Sequence, residues 1–150
     1  MTFRSLVLLV FSVALLLAAC GSDDPVGLDG FDSVTIPIDE QQLAVAIADA
    51  PALQSRGLMG VTDLGGLDGM LFVFEESTDG GFWMKDTLIA LDIMFFDADG
   101  AFVDRFTMEP CTGDPCPVYR SSGSYRYAVE APAGSLGFVG EGSVLETTGP

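Results

Sequence analysis

The sequence predicts a mainly β domain, a compact sandwich or barrel-like fold with one or two short helices. Short apolar runs of strand length alternate with glycine-rich loops, and the chain contains 18 glycines. The pair Asp99-Gly100 separates two of these runs, which is a strong signal for a β-hairpin. A segment that begins near Pro51 has the start and stop signals of a helix. Many short strands joined by such turns favour a sandwich or a barrel.

The first strand and the helix are predicted close together. The apolar run 42–48 follows a turn-like region at Pro37 and has the length of a strand. Asp49 has a side chain suited to a helix N-cap, and Pro51 suits the first helical turn, where its missing N–H costs nothing. Gly57 is a suitable residue for the end of this helix.

Later apolar runs are predicted to be strands, and they cover residues 70–74, 88–96, 101–108, 124–131 and 143–147. Asp97–Gly100 is predicted to join two of them as a hairpin turn. Alternation along 124–131 places Tyr125, Tyr127 and Val129 on one face. The segment that opens at Ala133 is the candidate for a second short helical turn.

The N-terminus has the three parts of a secretory signal. Residues 1–4 carry one positive charge, residues 6–17 are mostly apolar, and Leu17-Ala18-Ala19-Cys20 follows. The apolar stretch is shorter than the ~20 residues that cross a bilayer. A cysteine directly after small residues resembles a lipobox, so we predict cleavage before Cys20 and lipidation of that cysteine. An ordinary signal peptide with a chance cysteine is the alternative.

These features divide the chain into three parts. We predict a signal peptide over 1–19, a lipidated Cys20 with a flexible tether through residue 33, and a β domain over 34–150. The tether is rich in Gly, Ser, Asp and Pro and has little apolar content. The protein is therefore expected to be exported and held at the outer face of a bacterial membrane, which it would contact through its lipid anchor.

Composition excludes several classes of function. The chain has 22 acidic and six basic side chains, with a formal net charge of −16, which disfavours nucleic acid and anionic lipid surfaces as partners. The absence of histidine removes Ser-His-Asp and Cys-His catalysis and most zinc sites. Phosphate-loop and dinucleotide-binding motifs are missing as well. We therefore predict no metal and no cofactor, and we assign no catalytic residue.

Two further cysteines lie in a short loop rich in proline and glycine. Cys111 and Cys116 would stand in a compartment where disulfides persist, so we predict a structural disulfide between them. The alternative with a functional role is a redox pair, although such pairs usually have C-x-x-C spacing beside a helix. Metal binding is a weaker one.

Asp92 interrupts an apolar run and is the most informative single residue. Alternation places it with Met94 and opposite Ile93. An uncompensated buried carboxylate costs several kcal/mol, so its side chain should meet a cation or several backbone N–H groups. The candidate cations are Arg56, Lys85 and Arg126. Asp92 is therefore either part of a structural ion pair or a carboxylate that faces a ligand.

A second group of candidates surrounds the single tryptophan. Trp83 precedes Met84, and such an apolar pair more often packs in a core than lines a site. Yet Lys85, the single lysine, and Asp86 follow at once, and tryptophan beside charged side chains also suits a cleft that stacks sugars. Glu130 faces opposite its apolar neighbours, either on a solvated face or in the same cleft.

Several blocks of sequence occur in a characteristic order. They are Arg56–Met59, Gly69–Phe74, Phe82–Ile89, Leu91–Ile93, Pro110-Cys111, Cys116–Tyr119 and Val129–Gly134. Together they resemble the DUF192 family over about residues 34–147. The resemblance implies a compact β domain, often exported or anchored, and no established activity. Two residues depart from the family pattern: Asp86 stands where asparagine is usual, and Ala90 where proline is usual.

Three functional hypotheses follow. The first is a non-catalytic binding or accessory domain of the cell envelope, with a cleft for a small polar ligand, a cell-wall glycan or an envelope protein. Its candidate residues are Arg56, Trp83, Lys85, Asp86, Asp92 and Glu130. The second is a glycan hydrolase whose paired carboxylates come from Asp86, Asp92 and Glu130. The third is a structural spacer without a cleft.

Overall fold

The computed structural model describes residues 27–147, so the predicted signal peptide and Cys20 lie outside the described residues. Eight strands and one short α-helix form in this range. They are β1 (Asp32–Ile38), β2 (Gln41–Ala48), α1 (Pro51–Arg56), β3 (Gly69–Thr78), β4 (Gly81–Trp83), β5 (Leu91–Phe96), β6 (Phe102–Met108), β7 (Val118–Arg120) and β8 (Tyr125–Pro132). Within the same range, no helix has the length and apolar character needed to cross a bilayer.

Six of the strands form one mixed sheet in the order β1-β2-β3-β8-β5-β6, and β4 pairs with β7 in a small second sheet. β2 and β3 are parallel, whereas the other neighbouring pairs are antiparallel. A parallel pair needs a long crossover, which α1 and the loop after it provide. The prediction of a mainly β domain is confirmed. The main sheet is open, with β1 and β6 at its edges, and does not close into a barrel.

Each face of the main sheet packs against its own apolar cluster. The helix-side core includes Phe72, Ile93 and Phe95 and is covered by residues of the crossover loop, such as Leu58. The tail-side core is covered by the C-terminal segment. It includes Leu71, Met94, Val129, Leu136, Val139 and Leu145. Because the sheet is buried on both faces, a polar side chain on a central strand cannot escape to solvent by facing either way.

The predicted hairpin is present between β5 and β6. Asp97 Oδ1 accepts hydrogen bonds of 2.9 Å from the backbone N–H groups of Asp99 and Ala101, which holds the turn closed. Gly100 follows with φ +81°, a conformation that favours glycine. A Cβ at Gly100 would also collide with the carbonyl oxygen of Leu145. The turn therefore serves as the surface on which the C-terminal segment packs.

Two expectations about local structure were wrong. Ala50, not Asp49, is the N-cap of α1, and no side chain caps the helix, although Pro51 does stand in its first turn. Residues 143–147 do not form a strand; Val144 and Leu145 make only isolated bridges. Leu145 bridges to Ile38 at the end of β1 and Val144 bridges to Ala101 just before β6, so the segment contacts two strands and extends neither edge of the sheet.

Strict alternation also fails at the start of β8. Tyr125 packs in the helix-side core, whereas Tyr127 and Val129 contact the tail-side core. The pairing of β3 with β8 is irregular between Val73 and Thr78, which breaks the period of two at this end of β8. The displaced Tyr125 ring becomes part of the site described below.

The folded part of the chain begins earlier than residue 34. Leu28 and Phe31 pack against the helix-side core, and β1 starts at Asp32. These two apolar side chains bind the end of the predicted tether to the domain.

Candidate functional site

Glu130 is a buried acid at the centre of the main sheet. Its strand, β8, lies between β3 and β5, and Glu130 pairs with Met70 on one side and Ile93 on the other. The residue is only 4 % exposed, so the solvated-face interpretation was wrong. Its neighbours Val129 and Ala131 pack in the tail-side core, which directs Glu130 to the helix side. Burial raises the pKa of the Glu130 carboxyl from 4.5 to about 8.

A small cavity adjoins Glu130, and we call it the inner cavity. It has a volume of about 40 Å³, enough for a few water molecules or a small chemical group. Its lining includes the buried side chains of Leu58, Phe72 and Thr87. Burial is the sole cause of the raised pKa of Glu130, and no hydrogen bond contributes to it. Among residues 27–147, however, every side-chain nitrogen or oxygen that is fully enclosed does have a hydrogen-bond partner. The Glu130 carboxyl therefore borders the accessible space of the inner cavity.

A larger cavity of about 300 Å³ continues from the inner one, and we call it the outer groove. The two share five lining residues, which are Gln54, Ser55, Phe72, Phe82 and Trp83. One wall comes from α1 and the other from β4 and Gly80, which directly precedes it. Phe74 and Tyr125 lie beneath, with their ring centroids 5.5 Å apart in an edge-to-face contact. The outer groove is therefore a cleft with aromatic walls that leads to a buried acid.

Hydrogen bonds hold the walls of the outer groove in place. Gln54 Nε2 donates to the carbonyl oxygen of Val73 at 2.7 Å, which ties α1 to β3. The Tyr125 hydroxyl donates to the carbonyl oxygen of Gly80 at 3.0 Å, which ties β8 to the start of β4. Burial raises the pKa of Tyr125 to about 12, so this hydroxyl keeps its proton at neutral pH.

Trp83 stands at the rim of both cavities and is 49 % exposed. Alternation along β4 turns Phe82 inward, where its ring meets Phe72 edge-to-face at 5.0 Å. Met84 is buried in the helix-side core. Of the apolar pair Trp83-Met84, the second residue therefore belongs to the core and the first to the cleft. Lys85 Nζ lies 5.7 Å from the centroid of the Trp83 ring, close enough for a cation–π contact.

Arg56, at the end of α1, lines the inner cavity but directs its charge elsewhere. Its Nη1 donates to the carbonyl oxygen of Asp29 at 2.7 Å, and its guanidinium lies 4.5 Å from the centroid of the Phe31 ring. The residue therefore joins the segment before β1 to the wall of the inner cavity.

Lys85 and Asp86 line a different cavity, of about 160 Å³, together with the loop of the disulfide. The predicted disulfide between Cys111 and Cys116 is present in the structure. Asp86 has φ +54°, a left-handed conformation that asparagine and aspartate tolerate better than most residues. The backbone thus accounts for Asp86 at a position where the family pattern has asparagine.

Asp92 is 2 % exposed, and its carboxylate is fully engaged by neutral partners. Oδ1 accepts a hydrogen bond from Thr107 Oγ1 and Oδ2 accepts one from the backbone N–H of Gly134, both at 2.7 Å. Of the two predicted kinds of partner, the cation was wrong, and the backbone N–H groups are represented by one donor, Gly134, with the Thr107 hydroxyl as an unpredicted second donor. Arg126, one expected partner, donates instead to the carbonyl oxygen of Phe74. The register of β5 with β6 explains the contact, since it places Thr107 directly opposite Asp92.

The structure therefore separates the six predicted residues into three places. Arg56, Trp83 and Glu130 surround the inner cavity, Lys85 and Asp86 lie beside the disulfide, and Asp92 is on the other face of the sheet. Sequence reasoning missed Gln54, Ser55, Phe72, Phe82 and Thr87. Phe72 and Phe82 stand in the conspicuous blocks noted above, but an apolar side chain alone does not distinguish a cleft wall from a core.

In the part of the chain that the structure describes, no three acidic or cysteine side chains are grouped closely enough to hold a metal ion. The fold and the site define a small domain with one open mixed sheet, in which a crossover helix and a two-stranded sheet flank a groove above a buried acid.

The comparisons identify the family. The DUF192 family model, described as "Uncharacterized ACR", matches residues 34–145, and the chain belongs to this family. No curated protein matches the chain.

Two solved structures share the fold. One is a protein of unknown function from Novosphingobium aromaticivorans DSM 12444, with 24 % identity and a TM-score of 0.69 over 79 % of this chain and 88 % of that one. The other, from Sinorhizobium meliloti 1021, carries the provisional description of a transcription regulator. It has 26 % identity and a TM-score of 0.67 over 77 % of this chain and 94 % of that one.

Proposed function

We propose that this protein is an envelope lipoprotein whose DUF192 domain binds a small polar ligand in the inner cavity and outer groove. The observation that carries the proposal is Glu130, a buried acid that borders an accessible cavity and has no charged partner among residues 27–147. Burying such a group costs free energy unless a partner satisfies it. Titratable groups with strongly shifted pKa values in a cleft are frequent at functional sites.

The arrangement of acids favours binding over hydrolysis. A glycosidase of the usual kind needs two carboxyl groups on either side of one bond, about 5–10 Å apart. Asp92 and Glu130 face opposite sides of the sheet, so they cannot flank the same bond. Asp86 lines the cavity beside the disulfide, not the one beside Glu130. Among the described residues, Glu130 is the single acid that lines the two cavities, which suits recognition by a hydrogen bond.

The position of the groove fits a role at the membrane surface. Arg56 lines the inner cavity and also binds the carbonyl oxygen of Asp29, close to where the chain leaves the domain. The lipid anchor proposed at Cys20 would hold the domain at the membrane surface, where glycans and small polar molecules of the envelope are available to the groove.

Trp83 supplies a direct test because it is the single tryptophan of the chain. Full-length protein in detergent is screened against soluble cell-wall glycans and small polar compounds by following Trp83 fluorescence during thermal unfolding. A ligand at ten times its Kd stabilises the folded state by about 1.4 kcal/mol. We expect a stabilising ligand that also shifts the emission of Trp83 in the folded state.

Substitutions assign the effect to the groove. Trp83→Ala should weaken binding, followed by calorimetry, since the optical signal is lost. Phe138→Ala is the matched control, because Phe138 is similarly exposed (42 %) and does not line either cavity. A ligand that binds equally well to both variants would contradict the proposed site, and a panel without any binder would contradict the proposed function.

A further inference from the structure

We infer that the inner cavity receives the ammonium group of a primary alkylamine and that the carbon chain of this ligand lies along the aromatic wall of the outer groove. The assignment rests on the proposed function, since it names the chemistry of the ligand in the same groove. Two observations support it, and both concern hydrogen bonds. A buried carboxyl without a partner reaches the inner cavity, and the buried side chains beside it have already engaged their donors elsewhere.

Glu130 contributes carboxyl oxygens that have no partner within residues 27–147. No hydrogen bond contributes to the pKa of this carboxyl, whereas every fully enclosed side-chain nitrogen or oxygen in that range has a partner. The oxygens of Glu130 therefore reach accessible space, although the residue as a whole is buried. An ionised carboxylate accepts hydrogen bonds and donates none, so it requires donors from whatever fills the inner cavity.

The neighbouring side chains use their donors on backbone carbonyl oxygens. Gln54 Nε2 donates to two of them, at 2.7 and 3.4 Å, and Thr87 Oγ1 donates to one at 3.4 Å. Arg56 directs its guanidinium to two carbonyl oxygens before β1, at 2.7 and 3.5 Å. The amide oxygen of Gln54 and the hydroxyl oxygen of Thr87 accept no hydrogen bond from the described residues. The buried lining of the inner cavity therefore retains unused acceptors, while Gln54 and Thr87 have no unused donor.

A primary ammonium group complements a cavity of this kind. It has three N–H donors and no acceptor, and its charge compensates the ionised carboxylate of Glu130. A ligand carboxylate would meet only acceptors, and a hydroxyl group would supply a single donor. A quaternary ammonium group has the charge without any N–H, so it would leave the acceptors unsatisfied. The volume of about 40 Å³ accommodates a water-sized ammonium group and the carbon atoms next to it.

The outer groove suits the remainder of an amine ligand. Its aromatic lining consists of Phe72, Phe74, Phe82, Trp83 and Tyr125, against which an alkyl chain can pack. Aromatic rings also attract a nearby cation. Among the described residues, no charged side chain lines the outer groove, so a phosphate or carboxylate on the ligand would have no cation there. The formal net charge of −16 attracts cations at long range and repels anions. The ligand is therefore an amine without an anionic group.

Binding of an ammonium group should release a proton from Glu130. Burial holds the pKa of this carboxyl at about 8, so the carboxyl is protonated at pH 6 in the absence of a ligand. A nearby cation favours the ionised form, so the ligand must displace that proton. The affinity should therefore rise about tenfold for each pH unit below pH 8. A primary alkylamine keeps its charge throughout this range, because its pKa is about 10, as for lysine.

The other ionisable groups nearby do not share this titration. Lys85 and Asp86 after β4 line a separate cavity, and Asp92 on β5 faces the other side of the sheet. Arg56 on α1 is bound to the backbone before β1. Burial raises the pKa of Tyr125 on β8 to about 12, so its hydroxyl stays protonated. β3 and the crossover loop pack against the buried acid with apolar side chains. The pH dependence between pH 6 and pH 8.5 can therefore be assigned to that acid.

The test titrates full-length protein in a non-ionic detergent with small ligands of matched length. Butylamine and 1,4-diaminobutane carry primary ammonium groups, butan-1-ol carries a hydroxyl group, and butyltrimethylammonium carries the charge without an N–H. Binding is followed by Trp83 fluorescence at pH 6 and pH 8.5, at constant ionic strength. We expect butylamine to bind at least tenfold more tightly at pH 8.5 than at pH 6. At pH 8.5 it should also bind at least tenfold more tightly than butan-1-ol or butyltrimethylammonium.

Three variants separate recognition by Glu130 from a structural role. Glu130→Gln should lose at least tenfold in affinity for butylamine at pH 8.5, and its remaining affinity should not change with pH, because no proton is displaced. Thr87→Val should weaken butylamine binding and keep the pH dependence. Asp86→Asn is the matched control, because it removes one acid from the separate cavity and should bind as the wild type does. Circular dichroism at both pH values confirms that each protein remains folded.

The outcomes distinguish the ligand class from the proposed function. Equal affinity for butylamine at the two pH values, unchanged binding by Glu130→Gln, or equally tight binding of butyltrimethylammonium would overturn the ammonium assignment. Tighter binding of O-phosphoethanolamine than of butylamine would overturn the free amine and favour a lipid headgroup as the source. If no amine bound, but a neutral compound from the wider panel bound in the groove, the proposed function would stand and this inference would fail.

Discussion

Asp92 and Glu130 are buried on adjacent strands and face opposite sides of the same sheet. Asp92 pairs with Ala131 and Glu130 pairs with Ile93, so the two acids are displaced by one residue in register. Because side chains alternate along a strand, that displacement places them on different faces. The protein itself satisfies Asp92, through Thr107 and Gly134, whereas Glu130 borders an accessible cavity. The predictions below follow from this difference and from the anchor.

Asp92 should be structural. Asp92→Ala leaves the Thr107 hydroxyl and the Gly134 N–H without an acceptor, and each unsatisfied buried group costs about 1–3 kcal/mol. Asp92→Asn keeps one acceptor and should cost less, as should Thr107→Val, which removes a single hydrogen bond. Denaturant unfolding of the three variants gives the order directly. A nearly neutral Asp92→Ala protein would contradict the structural role.

The domain should become less stable as the pH rises, because the free energy of unfolding includes a contribution from the proton held by buried Glu130. Its pKa in the folded state is about 8, above its ordinary value of 4.5, so between these values the folded state holds a proton that the unfolded state has lost. The contribution is fully present below pH 4.5 and falls by about 1.4 kcal/mol for each pH unit up to about pH 8. Urea unfolding from pH 4.5 to 9 measures it. Glu130→Gln should lack this component of the pH dependence, and an unchanged profile in that variant would assign the effect to other groups.

Asp86 should be tolerant of asparagine and intolerant of alanine. Its φ of +54° costs an ordinary residue about 1–2 kcal/mol, while asparagine and aspartate adopt it more readily. We expect Asp86→Asn to leave the free energy of unfolding within about 0.5 kcal/mol and Asp86→Ala to lower it by about 1 kcal/mol. Thermal unfolding of both variants tests this. Equal losses in the two would show that the carboxylate, not the backbone, is required.

Neither Cys111 nor Cys116 should carry a free thiol in the folded protein. Thiol titration of the denatured, non-reduced protein should therefore show that Cys111 and Cys116 do not react. The loop they close is short, so reduction should lower the free energy of unfolding by less than about 3 kcal/mol. Two reactive thiols in the untreated protein would disprove the bond in solution.

Cys20 should be required for the membrane anchor. Cys20→Ser should abolish lipidation and leave either uncleaved precursor or soluble protein. Cell fractionation with metabolic labelling by palmitate separates these states. Cys111→Ser is the matched control and should stay lipidated. A processed Cys20→Ser protein that still remained with membranes would refute the lipoprotein proposal.

Much of the fold could be predicted because its signals are local. Apolar runs bounded by glycine and aspartate located β2, β3, β5, β6 and β8, and Asp97–Gly100 located a hairpin. The side of the sheet to which Asp92 points could also be predicted, since alternation along β5 places it with Met94, which packs in the tail-side core. The hydrogen-bond partners of Asp92 could not be predicted. Thr107 is placed opposite Asp92 by the register of β5 with β6, and Gly134 is placed by the turn after β8, and neither is determined by the residues around Asp92.

The sequence by itself determined the helix, five of the eight strands, the family and the alternation that directs most side chains of the central strands to one face. Strand periodicity and turn residues act over a few residues, so they can be recognised without the rest of the molecule. The tertiary structure alone decided that β8 lies between β3 and β5, which buries Glu130, and that α1 and β4 meet across a groove above it. Strand order and cavity shape arise from contacts between distant segments, which no local pattern records.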